Sequence, residues 1–111
     1  SILGAISEDD IGKHFPDTDN KYKGIDSKRL LSKIIMLLKE KNYIINNIDV
    51  TILLERPKLR NYINKMIEIL SEIMKINKKK LSIKATTTEG LGFIGREEGV
   101  AAHCITLLKK K

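Results

Sequence analysis

The sequence predicts an α/β fold of the α+β sandwich kind, a mixed sheet with helices packed on one face. Two segments carry apolar residues at helical spacing, three others read as short strands, and the two kinds interleave along the chain. With 111 residues the chain makes a single domain, 1–111, with a modest core.

Ser1-Ile-Leu-Gly-Ala-Ile6 has the composition of a helix tail, and residues 8–24 are polar and turn-rich, hence a loop. Asp26 is placed to cap a helix, with Ile25 and Leu30 as a hydrophobic staple. Leu30, Leu31, Ile34, Ile35, Leu37 and Leu38 recur at helical spacing, which predicts a helix over about 27–41. Ile48, Val50, Ile52 and Leu54 share one face of a strand over 46–55. Pro57 suits the first turn of the next helix. Its stripe of Leu59, Ile63, Met66, Ile67, Leu70 and Ile73 runs on to about residue 76. Lys78, Lys79 and Lys80 form a solvated turn. Leu81, Ile83 and Ala85 alternate with Ser82, Lys84 and Thr86 in a second strand. Residues 90–99 read as a glycine-rich loop, and 100–108 as a third strand or a short helix. The strand–helix–strand unit should cross right-handed.

The formal net charge is +7, a value compatible with nucleic acid or a membrane surface. Lysine supplies most of it, since arginine occurs only at 29, 56, 60 and 96. Heavy use of Ile and Asn beside Lys points to AT-rich coding rather than selection for a polyanion. Aromatics at 5% also argue against a base-stacking surface. No apolar run approaches the roughly 20 residues of a membrane span, and residues 1–7 do not read as a signal peptide. The missing initiator Met and the helix-tail opening point to a truncated or processed chain. Cys104 is the one cysteine, which suits a reducing compartment.

Several familiar motifs fail. Gly90-Leu-Gly-Phe-Ile-Gly95 matches GxGxxG, but too little chain follows for a dinucleotide-binding unit. No Walker A sequence occurs. Asp17-Thr-Asp19 begins like a calcium loop, but Lys21, Tyr22 and Lys28 occupy positions that need a ligand, Gly and Glu. His14, His103 and Cys104 do not make a zinc set, because His103 and Cys104 are adjacent on a strand and face opposite ways.

Two segments are richer in chemistry. In Asp10-Ile-Gly-Lys-His-Phe-Pro-Asp-Thr-Asp19 the acids are either turn and cap residues or acceptors for the hydroxyls of a ribose or polyol. In Lys84-Ala-Thr-Thr-Thr-Glu89 the threonines are either β-formers or hydroxyl donors to phosphate. Glu89 suits a hard cation such as Mg²⁺, and Arg96 offers a planar fork to phosphate.

These segments resemble one family. Asp10-Ile-Gly, Phe15-Pro-Asp-Thr-Asp19, Lys23-Gly-Ile-Asp-Ser27, Asn47-Ile-Asp-Val50, Arg56-Pro-Lys58, Lys84-Ala-Thr-Thr-Thr-Glu89 and Gly92-Phe-Ile-Gly-Arg96 follow the order and spacing of the 2-C-methyl-D-erythritol 2,4-cyclodiphosphate synthases. The resemblance spans essentially the whole chain and places it in the C-terminal two-thirds of that domain. It implies a homotrimer with intersubunit active sites. The implied reaction cyclises 4-diphosphocytidyl-2-C-methyl-D-erythritol 2-phosphate and releases CMP, with Zn²⁺ and Mg²⁺ or Mn²⁺ as cofactors.

By motif, Asp10, Ile11 and Gly12 are expected at the cytidine ribose. Phe15, Pro16, Asp17, Thr18 and Asp19 are expected to line the methylerythritol pocket, Asp17 accepting from its hydroxyls. Leu54, Glu55, Arg56, Pro57, Lys58, Leu59 and Arg60 are expected around cytosine, largely through backbone groups. Thr86, Thr87, Thr88 and Glu89 are expected at the phosphates, Thr87 as the catalytic donor and Glu89 as the Mg²⁺ or Mn²⁺ ligand. Phe93 and Arg96 resemble positions beside an axial cavity that takes isoprenoid diphosphates. The family's zinc ligands (one Asp and two His) and its mobile His-Ser loop have no counterpart here, so the chain by itself is expected to be inactive. Glu55 stands where the family often has Gln. The expected host is a plastid-type organelle, the apicoplast stroma, with a bacterial cytoplasm as the alternative. No nucleic acid and no membrane partner is expected; the rival reading is a non-enzymatic basic module that binds RNA.

Overall fold

The computed structural model describes residues 1–16 and 24–111. Among the described residues five α-helices and three strands follow in the order α1 (Ile2–Ala5), α2 (Ile11–His14), α3 (Ser27–Glu40), β1 (Tyr43–Leu53), α4 (Arg60–Met74), β2 (Leu81–Thr86), α5 (Gly92–Gly95) and β3 (Ala101–Lys110), with a 3-10 turn at Lys78–Lys80 before β2. The predicted mixed sheet is present, with strand order β2-β1-β3. β1 runs parallel to β2, from Ile48 opposite Leu81 to Leu53 opposite Thr86. It runs antiparallel to β3, from Tyr43 opposite Lys110 to Leu53 opposite Ala101. A parallel pair needs a long crossover, and α4 supplies it.

Side-chain alternation then sorts the two faces. Ile45 and Ile48 of β1, with Leu81 and Ile83 of β2, are buried with Ile34 and Leu38 of α3 and Met74 of α4. Ile2 and Leu3 of α1 complete this cluster. Asn47, Asp49 and Thr51 of β1 lie beside Ser82 and Lys84 of β2 and beside Leu107, Ile105 and His103 of β3 on the opposite face. That face is open. Ile105 is 75% exposed and Leu107 57%, and Lys84 pairs there with Asp49. The Lys84 ammonium holds the Asp49 carboxyl below the usual carboxylate range.

The caps follow sequence chemistry. The Lys28 N–H donates to Asp26 Oδ1 at 2.8 Å, starting α3. Asn42 leaves α3 through a left-handed turn, φ 64°.

Four boundaries differ from the sequence reading. β1 begins at Tyr43, before the predicted 46, because a register shift between Ile45 and Asn47 breaks the alternation that marks a strand. Residues 8–24 are not wholly loop, since Asp10 caps the short α2. Pro57 lies in a bend after a cis Arg56–Pro57 bond, and α4 starts only at Arg60. Contacts of Glu55 and Arg56 with distant residues hold that bend, overriding the local preference of Pro for a first helical turn. The glycine-rich stretch contains α5, whereas the third strand is present as read, over Ala101–Lys110.

Candidate active site

Because β1 and β2 are parallel, their carboxyl ends emerge side by side. The Leu54 N–H donates to Thr86 O at 3.0 Å, which keeps the two chains together one step beyond the strand. Past that point Glu55 reaches into the turn that follows β2. Its Oε1 accepts from the Thr88 N–H at 3.2 Å and the Gly90 N–H at 3.0 Å. The Thr88 hydroxyl lies 3.2 Å from the same oxygen and 2.7 Å from Leu91 O, and its single proton serves one of them at a time. The Gly90 N–H, with the Thr88 donors, holds the Glu55 carboxyl below its ordinary range against an opposing effect of burial.

The turn itself is tightly wound. Glu89, Gly90 and Gly92 have φ of 53°, 80° and 70°. Glycine adopts such angles freely, whereas a glutamate there is held against a cost of roughly 1 kcal/mol. A Cβ on Gly95 would stand 2.7 Å from Gly90 Cα and closer still to its carbonyl carbon, so α5 packs directly on the turn. Nearby, Arg56 Nε donates to Glu97 Oε1 at 2.7 Å. Arg96 donates from Nε to Glu98 Oε1 at 3.1 Å and from Nη2 to Oε2 at 3.3 Å.

This arrangement leaves two groups facing outward. The Glu89 N–H donates to Thr87 Oγ1 at 3.2 Å. That contact uses a lone pair of the Thr87 hydroxyl and leaves its proton for a ligand. The Glu89 side chain is exposed, and among the described residues its carboxylate has no hydrogen bond or ion pair. A single carboxylate beside phosphate oxygens is a normal environment for Mg²⁺ or Mn²⁺, so Glu89 fits the divalent ion. Zinc is different. Among the described residues no three His, Cys, Asp or Glu side chains gather as a metal-binding group.

The sequence-predicted residues therefore fall into two groups. Of the residues expected around cytosine, Leu54 and Glu55 bond directly to Thr86 and Thr88 at the strand ends, in the turn that also carries Thr87 and Glu89. Arg56 bonds Glu97 instead, and Pro57, Lys58, Leu59 and Arg60 follow along the chain. Leu54 is buried at 8% exposure, so it can offer a ligand only backbone. Phe93 lies against Gly99, and Arg96 has its fork engaged by Glu98. The second group is elsewhere. Asp10 Oδ1 accepts from the Lys13 N–H at 2.8 Å as the cap of α2. Asp10 and Ile11 border an apolar cleft of about 800 Å³, whose lining includes Ile34, Ile48, Val50, Met74 and Leu81. A lining of that kind does not suit phosphate. Glu8 ties this region to Lys41, at the far end of β1, at 3.0 Å. Among the described residues Asp10, Ile11 and Gly12 share no hydrogen bond or ion pair with the strand-end group. Phe15 and Pro16 are half-buried, and Asp17, Thr18 and Asp19 lie outside the described residues.

Sequence reasoning missed Glu97 as the partner of Arg56 and Gly95 as the seat of the turn. Gly95 carried a signal, as the last glycine of a rejected motif. Glu97 carried none.

A family model, described as the YgbB family, matches residues 1–109. The chain belongs to the YgbB family. It is 58% identical over 110 residues to the 2-C-methyl-D-erythritol 2,4-cyclodiphosphate synthase of Brachyspira hyodysenteriae, covering 99% of this chain and 70% of that one. It is 56% identical over 108 residues to the synthase of the same name from Francisella tularensis subsp. novicida, covering 97% and 68%. Among solved structures, the bifunctional IspDF from Campylobacter jejuni superposes with a TM-score of 0.94 at 37% identity, covering 99% of this chain and 30% of that one. A Plasmodium falciparum IspF structure, a CDP complex, gives 0.89 at 32% identity, covering 100% and 66%. The architecture is thus that of IspF synthases. No helix among the described residues is long and apolar enough to cross a membrane.

Proposed function

We propose that this YgbB-family protein cyclises 4-diphosphocytidyl-2-C-methyl-D-erythritol 2-phosphate to the 2,4-cyclodiphosphate and releases CMP. The observation that carries the proposal is the turn bearing Thr87 and Glu89, braced by Glu55 at the ends of two parallel strands, in a chain 58% identical to a synthase of that name. An oxygen of the substrate's 2-phosphate attacks the β-phosphorus. The bond from that phosphorus to the bridging oxygen breaks, and CMP leaves with the electron pair. The nucleophile and leaving group both belong to the substrate, so the protein's task is to position them and to meet developing charge.

Thr87 donates its free hydroxyl proton to a phosphate oxygen. Glu89 would hold Mg²⁺ or Mn²⁺, which when bound neutralises charge on the phosphate oxygens as a Lewis acid. The backbone of residues 54–60 receives the cytosine, with Lys58 and Arg60 adding positive charge. Asp10 offers the ribose its second carboxylate oxygen, the first being engaged as a cap. No zinc step is included, because the described residues do not supply that donor set.

The separation of Asp10 from Thr87 supports a site completed between subunits, and the open sheet face with Ile105 and Leu107 supports a trimer built through it. For an isoprenoid diphosphate to engage Arg96, Glu98 would have to release the guanidinium. Of the two expected hosts, the bacterial one is favoured by relatives at 58% and 56% identity, against 32% for the Plasmodium falciparum structure. The relatives' names also favour the enzyme over the RNA-binding module.

The test is steady-state CMP release by the full-length protein given this substrate and Mg²⁺. Turnover should stop on chelation and return with metal. Absence of CMP release at saturating metal from a protein that binds CDP would end the cyclisation reading.

A further inference from the structure

The geometry points to Glu55 as a positioning residue that fixes Thr87 and Glu89 through the backbone of the turn, and so couples the nucleotide loop to the phosphate loop. The inference deepens the function proposed above and rests on it. Three observations carry it.

First, one carboxylate oxygen gathers the N–H groups of Thr88 and Gly90, the residues on either side of Glu89. Those N–H groups point inward to Glu55 and are thereby withdrawn from the ligand, so Glu55 shapes the turn rather than touching phosphate. Second, the same turn is wound through positive φ at Glu89. A glutamate backbone leaves that region unless neighbouring bonds hold it. Third, the adjacent Arg56 is tied to Glu97 at 2.7 Å, beyond α5, which itself packs on Gly90 through Gly95. The segment expected to receive cytosine is therefore bonded at successive residues to the turn expected to receive phosphate and to Glu97, beyond the short helix that packs on that turn. Movement of one must move the other.

Charge alone does not explain the position. Arg56 and Arg96 each have a carboxylate partner of their own, Glu97 and Glu98, and Glu55 makes no ion pair among the described residues. Its contacts are N–H and hydroxyl donors, so the requirement is for a well-placed acceptor. Glutamine keeps one acceptor oxygen at the same reach, and alanine removes it.

The experiment compares wild type, Glu55→Gln and Glu55→Ala in the full-length protein. For Glu55→Ala we expect kcat to fall on the order of 10²-fold, the penalty of a reacting group displaced by about 1 Å, with KM changed much less. Glu55→Gln should recover most of the lost kcat. Amide hydrogen exchange supplies a readout independent of turnover: protection at Thr88 and Gly90 should drop in Glu55→Ala while Leu81 and Ile83 stay protected. If wild type releases no CMP, the cyclisation reading fails, yet the exchange pattern still judges Glu55. Unchanged kcat and unchanged exchange in Glu55→Ala would overturn the positioning role. So would loss of protection throughout β2, which would make Glu55 a fold residue, or a Gln variant as impaired as the Ala one.

Discussion

The strand-end turn and the Asp10 segment carry the same kind of chemistry, acids and hydroxyls in polar loops, but the chain treats them differently. Residues 87–90 are braced from outside by Glu55, seated on Gly95 and wound through two left-handed residues, Glu89 and Gly90. Residues 10–16 are held by the Asp10 cap bond, one helical turn, surface contacts of Lys13 with Asp9 at 3.0 Å and of His14 with Glu8 at 3.9 Å, and the packing of Phe15 against the core. Among the described residues no side chain reaches in to bond their turn as Glu55 does. The difference matches the roles proposed for each. Groups that meet developing charge must be held before the reaction, because reorganisation then adds to the barrier. A carboxylate that receives ribose hydroxyls needs only to be within reach, and a partner surface can finish its placement.

The largest expected effect lies in the braced region. Thr87→Ala should lower kcat by on the order of 10²–10³ with little change in substrate affinity, as loss of a transition-state donor does. Thr87→Ser should retain most activity, since it keeps both the free proton and the acceptor for the Glu89 N–H. Melting temperatures should stay near wild type, because neither side chain enters the core of Ile48, Leu81 and Ile83. A Thr87→Ala protein that melts far below wild type would make the turn a structural element and erase the contrast.

Glu89→Gln should act next. It keeps the shape and removes the charge that holds a hard cation, so activity should fall at low Mg²⁺ or Mn²⁺ and partly return as metal is raised. Full activity at low metal would take the metal role away from Glu89.

Asp10 tests the weaker region. Asp10→Ala removes both the α2 cap and a charged acceptor, and CDP affinity should drop by about 1.5–3 kcal/mol. Asp10→Asn keeps a capping oxygen, so it should restore the cap but not the full affinity. Equal CDP binding by all three proteins in calorimetry would leave Asp10 as a cap alone.

What the sequence made legible divides along the same line. α3 and β2 were readable because their apolar periods are unbroken, the sequence of β3 admits a strand or a short helix, and the motifs named the candidate residues of both segments. The start of β1 was hidden by the irregularity at Ile45, where period two fails. α5 was hidden because four residues of helix, two of them glycine, owe their form to packing on Gly90 rather than to propensity. Glu55 was visible only as a departure from a common Gln. Its bonds run 33 and 35 residues along the chain, a span that no local pattern encodes.

The smallest effect is a pH dependence confined to the brace. In the folded chain the Glu55 carboxyl lies below its ordinary value, chiefly because the Gly90 N–H donates to it. A group depressed in this way stabilises the fold fully above the ordinary glutamate range, and the contribution drains away as pH falls through the lowered folded value. Glu55→Gln offers a neutral, weaker acceptor that does not titrate. The wild type should therefore melt slightly above Glu55→Gln near neutrality, and the gap should close on acidification. Asp49, depressed by Lys84 on the open sheet face, titrates in both proteins and cancels from the difference. Thermal melts of the two proteins from pH 7 down to about 3, below the ordinary carboxylate range, measure it. A gap that stays constant or widens in acid would mean that the carboxylate charge adds nothing to the acceptor oxygen that glutamine also supplies.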